Sequence, residues 1–225
     1  MSAGLALLLG LSLLAAPEAP ATVELPAART SGGMALDEVL AKRRSIRQLD
    51  PKASLTKAQL SQLCWAAQGI TDDKGHRTAP SARATYPLDL YVVVGRVEGV
   101  PAGLYRYVPQ GHRLERRGGA DVRDRLLAGG ATQPWIKDSA VIFALVWNPK
   151  GTESMGPRAE PFGMVEVGLA GENLLLEVTS LGLGSTFVGG FDPAKTRQVL
   201  GLAEGAQVGA VLPVGKPAAS KPASP

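Results

Sequence analysis

Cysteine and histidine are nearly absent. Of 225 residues, one is cysteine, Cys64, and two are histidines, His76 and His112. A single thiol excludes an internal disulfide, and two distant histidines leave no zinc-ligand spacing, so no metal site is expected. Cys64 lies in LSQLCWAAQ at apolar helical spacing, which reads as a buried core thiol rather than a nucleophile. The net charge is only +4, and no aromatic residues interleave with the basic ones. That excludes the dense basic stripe of a nucleic-acid binder. G-x-x-x-x-G-K-[ST] and G-x-S-x-G are also missing, which excludes a P-loop and an α/β-hydrolase elbow. In LGLGSTFVGGFD, Phe187 occupies the place of the third glycine of a dinucleotide fingerprint, and the stretch leaves a helix rather than a strand. No internal repeat is present.

What is present suits one ordinary domain with tails. Apolar residues make up 45% of the chain, enough for a sizeable core. Leu5–Ala16 is an apolar run of signal-peptide length, and Ala19 and Ala21 are the small residues a cleavage site needs. Residues 1–21 are therefore expected to be a signal peptide directing export, most simply to a periplasm. Met1–Gly4 lacks the usual Lys or Arg, which leaves two other outcomes open. One is a mis-called start and a cytoplasmic protein; the other is a segment retained as a membrane anchor.

Residues 22–33 read as an extended lead-in. MALDEVLAKR reads as a short helix with Leu36, Val39 and Leu40 inside, and Thr56 as the cap of a second helix carrying Leu60, Leu63, Ala67 and Ile70. The polar stretch 71–87 is a long loop of the kind that carries function. LDLYVVVG and SAVIFALVWNP read as strands, and GLYRYVPQGHRLERRG as a hairpin turning at Gln110-Gly111. ADVRDRLLAGG is a helix stopped by glycine. FGMVEVGLAGENLLLEVTSLGL is the longest helix, with Phe162, Val165, Leu169 and Leu176 on one side. Its broad apolar surface fits a large core or a subunit contact. GSTFVGGFD is a strand running into a glycine pair, Pro193 opens a short helix, and QVGAVLPVGKP is the last strand. The tail 218–225 is expected to be disordered. Mixed strands and helices without strict βα alternation predict an α+β fold, a mostly antiparallel sheet flanked by helices.

Three arginines crowd AKRRSIRQLD. On a helix Arg43 and Arg47 are neighbours, where like charges cost about 0.2–0.5 kcal/mol. The group is either a solvated basic turn or an anion site in which guanidinium forks and the Ser45 hydroxyl grip oxyanions. Three features favour the second reading. RTAPSARATYP offers Ser81 and exposed backbone suited to a planar heterocycle. Gly189-Gly190 permits close backbone approach to a ring. Lys216 follows a strand end as a second candidate phosphate cation.

RRSIRQLDPKASLTKAQLSQLCWAAQG, RTAPSARATYPLDLYVVVG, GLYRYVP, SLGLGSTFVGGFD and LPVGKP occur in that order. Together they resemble the nitroreductase superfamily and, within it, the SagB/ThcOx-type dehydrogenases, over Ala35 to Pro217. The resemblance implies a nitroreductase-like domain over residues 34–217 and FMN held at the interface of an intertwined homodimer. By matching position it implies that Arg43, Arg44, Ser45 and Arg47 bind the flavin phosphate and ring edge. Pro80, Ser81 and Ala82 would approach the isoalloxazine, Gly190 of the Gly189-Gly190 pair would donate its N–H to flavin N5, and Lys216 would reach the phosphate. On that reading the arginines tolerate one another because a phosphate sits between them. Where the family often has P-S-A-G-A-L-Y-P, this chain has Arg83 for the glycine and Thr85 for the leucine. Arg83 either serves flavin N1/O2 or points to solvent. The chain has no adjacent Lys-Tyr, which argues against peptide azoline oxidation.

The implied activity is FMN-dependent oxidoreduction of a small organic substrate, peptide-derived ones included, with NAD(P)H as a candidate electron donor. No catalytic acid or base is assigned, because the flavin carries the chemistry. The alternative is an exported flavin-binding or partner-binding protein with little turnover.

Overall fold

β-Branched runs build the sheet. The computed structural model describes residues 20–119, 121–129 and 133–219; most of the expected leader and most of the 218–225 tail lie outside them. The strands are β1 (Thr22–Glu24), β2 (Leu88–Val94), β3 (Gly103–Val108), β4 (Arg113–Gly118), β5 (Val141–Trp147), β6 (Gly184–Ser185) and β7 (Gln207–Gly215). They form one antiparallel sheet in the order β1-β4-β3-β2-β5-β7-β6. β5 is buried at every position, so both of its faces lie under helices, and its sequence is apolar throughout rather than alternating. The fold is α+β, with helices on both faces of an antiparallel sheet.

The helices are α1 (Leu36–Lys42), α2 (Lys57–Gln68), α3 (Arg123–Gly129), α4 (Ala159–Ser180) and α5 (Pro193–Val199). α2 starts on a capping box: the Thr56 hydroxyl accepts from Gln59 N–H at 3.1 Å, and the Gln59 side chain accepts from Thr56 N–H at 3.0 Å. Such a cap is worth about 1 kcal/mol. Leu60, Leu63, Cys64 and Ala67 point into one core with α4, and burial pushes the Cys64 thiol well up, as expected of an inert core residue. α3, α5 and a 3-10 turn at Pro134–Asp138 cover a second core on the other face.

The lead-in is extended and becomes the sheet edge. Val23 pairs with Leu114, and Ser61 Oγ donates to the Pro26 carbonyl. His112, in the expected hairpin turn, lies 2.6 Å from Ser61 Oγ and 2.8 Å from the Tyr107 hydroxyl, and burial holds its imidazole below the usual range. β6 is only two residues long, shorter than GSTFVGGFD suggested, because the chain rejoins β7 through a single Val188–Val211 bridge.

α4 is apolar on more than one face, and the structure shows which face it buries. At 22 residues it is about 33 Å long. Its buried face carries Gly163, Glu166, Val167, Ala170, Gly171, Leu174 and Val178. Gly163 and Gly171 admit Trp147 and Phe187; a Cβ at Gly171 would sit 2.7 Å from the Phe187 ring. Phe162, Val165 and Leu169, the side that periodicity singled out for a core or a subunit contact, are exposed, as is Phe187; Leu36 and Leu40 of α1, expected inside with the buried Val39, are exposed too. The periodicity identified the stripe correctly, but the two small glycines turn the opposite face to the sheet.

Candidate functional site

The arginine cluster is not helical. α1 ends at Lys42, and Arg43 takes an extended ψ of 124°. Backbone pairing draws the chain out: Ile46 N–H donates to Ser185 C=O at 2.8 Å, Asp50 N–H to Lys216 C=O at 2.9 Å, and Ala218 N–H to Gln48 C=O at 2.9 Å. Leu49 is buried and forms a bridge with Pro217, while Gly184 lies too close to Ile46 and Leu49 to admit a Cβ. Arg43 and Arg47 are therefore not helix neighbours. The same ladder brings Arg43, Arg44, Ser45, Arg47 and Lys216 to one edge of the molecule.

Positive charge at this edge is poorly neutralised. Arg43 Nε is 3.8 Å from Glu172 Oε1, with half-exposed side chains, a contact worth little. Arg44 donates to the Arg43 carbonyl at 2.7 Å. Arg44, Arg47 and Lys216 have no carboxylate within ion-pair range among the described residues. Ser185 Oγ is buried here without a hydrogen-bond partner among the described residues.

Gly189 and Gly190 follow Val188, whose N–H and C=O both pair with Val211, at 2.9 and 3.0 Å. Neither glycine has a positive φ, and a Cβ at either would meet nothing within 4 Å. Nothing in the described chain requires glycine at these two exposed positions. Together with the uncompensated cations and the orphaned hydroxyl, they fit a phosphorylated, planar group lying against the backbone.

The Pro80–Arg83 turn is built differently. Ser81 Oγ donates to Glu166 Oε1 at 3.0 Å and accepts from Tyr86 N–H at 2.8 Å, and Ala82 N–H donates to the same carboxylate oxygen at 2.9 Å. The Ser81 hydroxyl is thus committed to its own turn, leaving Pro80, Arg83 and the backbone for a ligand. Arg83, Ala84 and Tyr86 have φ of 56°, 54° and 48°. Each costs about 1–2 kcal/mol in a non-glycine residue. The glycine of the family pattern at position 83 thereby has a physical reason, and Arg83, exposed, adopts the strained conformation in its place. The Arg77 guanidinium covers the Tyr86 ring at 4.5 Å.

Glu166 was not anticipated from the sequence, although a carboxylate on the α4 face that carries Val167 and Ala170 was a visible signal. It is buried on α4, which pushes its carboxyl above the usual range, against the lowering effect of the Ala82 and Ser81 hydrogen bonds. Glu166 and Glu172, which face the turn and Arg43 respectively, are six residues apart on α4. That places them about 120° apart around the helix and about 9 Å along it. Phe162, Val165 and Leu169 project between them. Within one chain, the turn and the cation edge flank opposite sides of the exposed apolar stripe and do not form a single pocket.

Residues 40–216 match the family model described as "Nitroreductase family". A candidate nitroreductase of Methanocaldococcus jannaschii is 37% identical over 182 residues, covering 80% of this chain and 90% of that protein. A candidate nitroreductase of Ralstonia eutropha JMP134, solved as a crystal structure, superposes with a TM-score of 0.80 at 30% identity, over 91% of this chain and 93% of that one. NADPH:FMN oxidoreductase of Vibrio harveyi, solved with NAD+, shares the fold at a TM-score of 0.61 and 18% identity, over 84% of this chain and 72% of that one.

Proposed function

The chain belongs to the nitroreductase family, and from that premise we propose that it is an FMN-dependent oxidoreductase acting on a small organic substrate as a homodimer. The observation that carries this reading is the edge where backbone pairing holds the Arg43–Arg47 segment beside Ser185 and Lys216, with Arg44, Arg47 and Lys216 out of reach of any described carboxylate; the glycine pair, which the described chain does not itself require, lies farther along β7, next to Val211. The Arg43, Arg44 and Arg47 guanidiniums and the Lys216 ammonium hold the phosphate, with Ser45 adding a hydroxyl donor. Gly190 directs its N–H to flavin N5, and Gly189 leaves room for the ring. When bound, FMN supplies hydride transfer at N5. The protein orients the ring and excludes water from its face.

A second copy completes the site on this reading. Its Pro80–Arg83 turn reaches the ring that this chain's cation edge anchors, and the stripe of Leu36, Leu40, Phe162, Val165, Leu169 and Phe187 becomes the dimer core. Six exposed large apolar side chains on adjoining elements support that arrangement. Within the family we place the chain with the SagB/ThcOx-type dehydrogenases on the order of its five motifs, with NAD(P)H as electron donor and export directed by the apolar leader.

The test is a visible absorption spectrum of purified protein, with mass identification of the released chromophore. Yellow protein that bleaches with NADPH and recovers with an added acceptor supports the enzyme. A colourless preparation that refuses added FMN overturns the reading, and bound flavin that no donor reduces favours a binding protein.

A further inference from the structure

The second face of the sheet is only partly covered. Val93, Ile142, Ala144 and Val146 lie under α3, α5 and the 3-10 turn. Beyond them, where Asp89 of β2 pairs with Val146, a cleft of about 650 Å³ opens, within the size range of small-molecule sites. Leu104, Val122 and Leu200 lie beneath it, almost wholly buried in the second core, and its walls carry Arg106, Arg117 and Arg125 against one carboxylate, Asp89.

The three guanidiniums are not equivalent. Arg106 is held by Asp89, with Nε and Nη2 at 2.9 and 2.7 Å from Oδ1. Arg117 shares Glu115 with Arg113, at 3.0 and 3.1 Å. Arg125 has no carboxylate in ion-pair range among the described residues. Tyr91 pairs with Arg106 across the β2–β3 ladder, and burial pushes its phenol up, so the hydroxyl remains a donor. The cleft therefore offers guanidinium forks and a hydroxyl, with positive charge in excess.

The cleft is separate from the cation edge. Val141 pairs with Val214 near Lys216, whereas Val146 pairs with Asp89. Five residues of strand separate these ends by about 17 Å. α5 lies between, with the glycine pair before its N-terminus and the cleft at its C-terminal end.

We propose that this cleft is a second small-molecule site, selective for an oxyanion on a planar apolar body, an aryl carboxylate or aryl phosphate. Arg117 and Arg125 grip the oxyanion, Tyr91 donates to it, and the body packs on the aliphatic stems and planar guanidiniums of the wall arginines. Calorimetric titration of the purified protein with benzoate, phenyl phosphate and benzamide tests it, in wild type and in the Arg117→Gln/Arg125→Gln variant. The proposal expects saturable, salt-sensitive binding of at least one anion, and which anion binds tells carboxylate from phosphate. Neutral benzamide should bind about tenfold more weakly or worse, and the double variant should lose about tenfold or more in anion affinity, near 1.4 kcal/mol. Its melting temperature and visible spectrum should stay unchanged. Equal benzamide binding, an unaffected double variant, or no saturation overturns the proposal. So does an anion-induced change in the visible spectrum that persists in the double variant, because that places the anion at the cation edge.

Discussion

The cation edge and the Pro80–Arg83 turn are built on opposite principles. At the edge, backbone ladders to Ser185, Lys216 and Ala218 position the cations, and no described carboxylate offsets Arg44, Arg47 or Lys216. At the turn, one buried carboxylate, Glu166, holds two donors, and Arg83, with Ala84 and Tyr86 just after it, sits at positive φ. The edge has room for a ligand's charge and depends little on any one side chain for its shape. The turn has its charge already satisfied and depends on a single side chain.

If that contrast is right, removing charge at the edge should cost binding and leave the fold intact. Arg43→Ala with Arg47→Ala should weaken FMN retention by at least about 100-fold, since each charge-assisted hydrogen bond to phosphate is worth about 1.5–3 kcal/mol. Equilibrium dialysis of flavin alongside a thermal melt measures both effects. Wild-type occupancy in this double variant would refute the phosphate assignment.

The turn should show the reverse. Glu166→Ala leaves the Ser81 hydroxyl and Ala82 N–H without their acceptor and should lower stability by about 2–3 kcal/mol. Glu166→Gln sharpens the point through pH. Burial raises the folded carboxyl above its unfolded value, so wild type binds the proton more tightly when folded. Its stability relative to Glu166→Gln is greatest below the ordinary carboxylate range and falls as pH rises through the raised value. Paired urea melts from acidic to neutral pH would reveal that slope, and a flat difference would show that Glu166 is not perturbed.

Between the two regions lies the apolar stripe. Val165 is 59% exposed, so Val165→Asp should leave the single chain folded. If the stripe pairs two copies, it should raise the dimer dissociation constant by about tenfold or more, near 1.4 kcal/mol, as read by sedimentation. The smallest effect is expected at Arg83→Gly. Relief of the positive φ outweighs the extra entropy of an unfolded glycine by about 0.5 kcal/mol, which a precise melt resolves.

Much of the fold was open to reading because its signals are local. β-Branched runs mark β2, β5 and β7, Thr56 with Gln59 spells a helix start, and Gln110-Gly111 marks the hairpin. Local signals also misled. The spacing of Arg43 and Arg47 suits a helix face, but pairing with Ser185 and Lys216, residues far along the chain, extends that segment instead. Periodicity found the Phe162–Val165–Leu169 stripe but not its direction, which depends on Trp147 and Phe187 packing into Gly163 and Gly171.

Residue order alone therefore determined the elements, the α+β class, the family and the set of candidate anion ligands, because propensities, caps and motifs act over a few neighbouring residues. Only the tertiary structure decided that the arginines share an edge with Lys216, that Glu166 carries the Ser81 turn, and that an arginine-lined cleft opens at the far end of the sheet. Those outcomes depend on which distant strands pair and which helix face is buried, and long-range packing, not local chemistry, makes that choice.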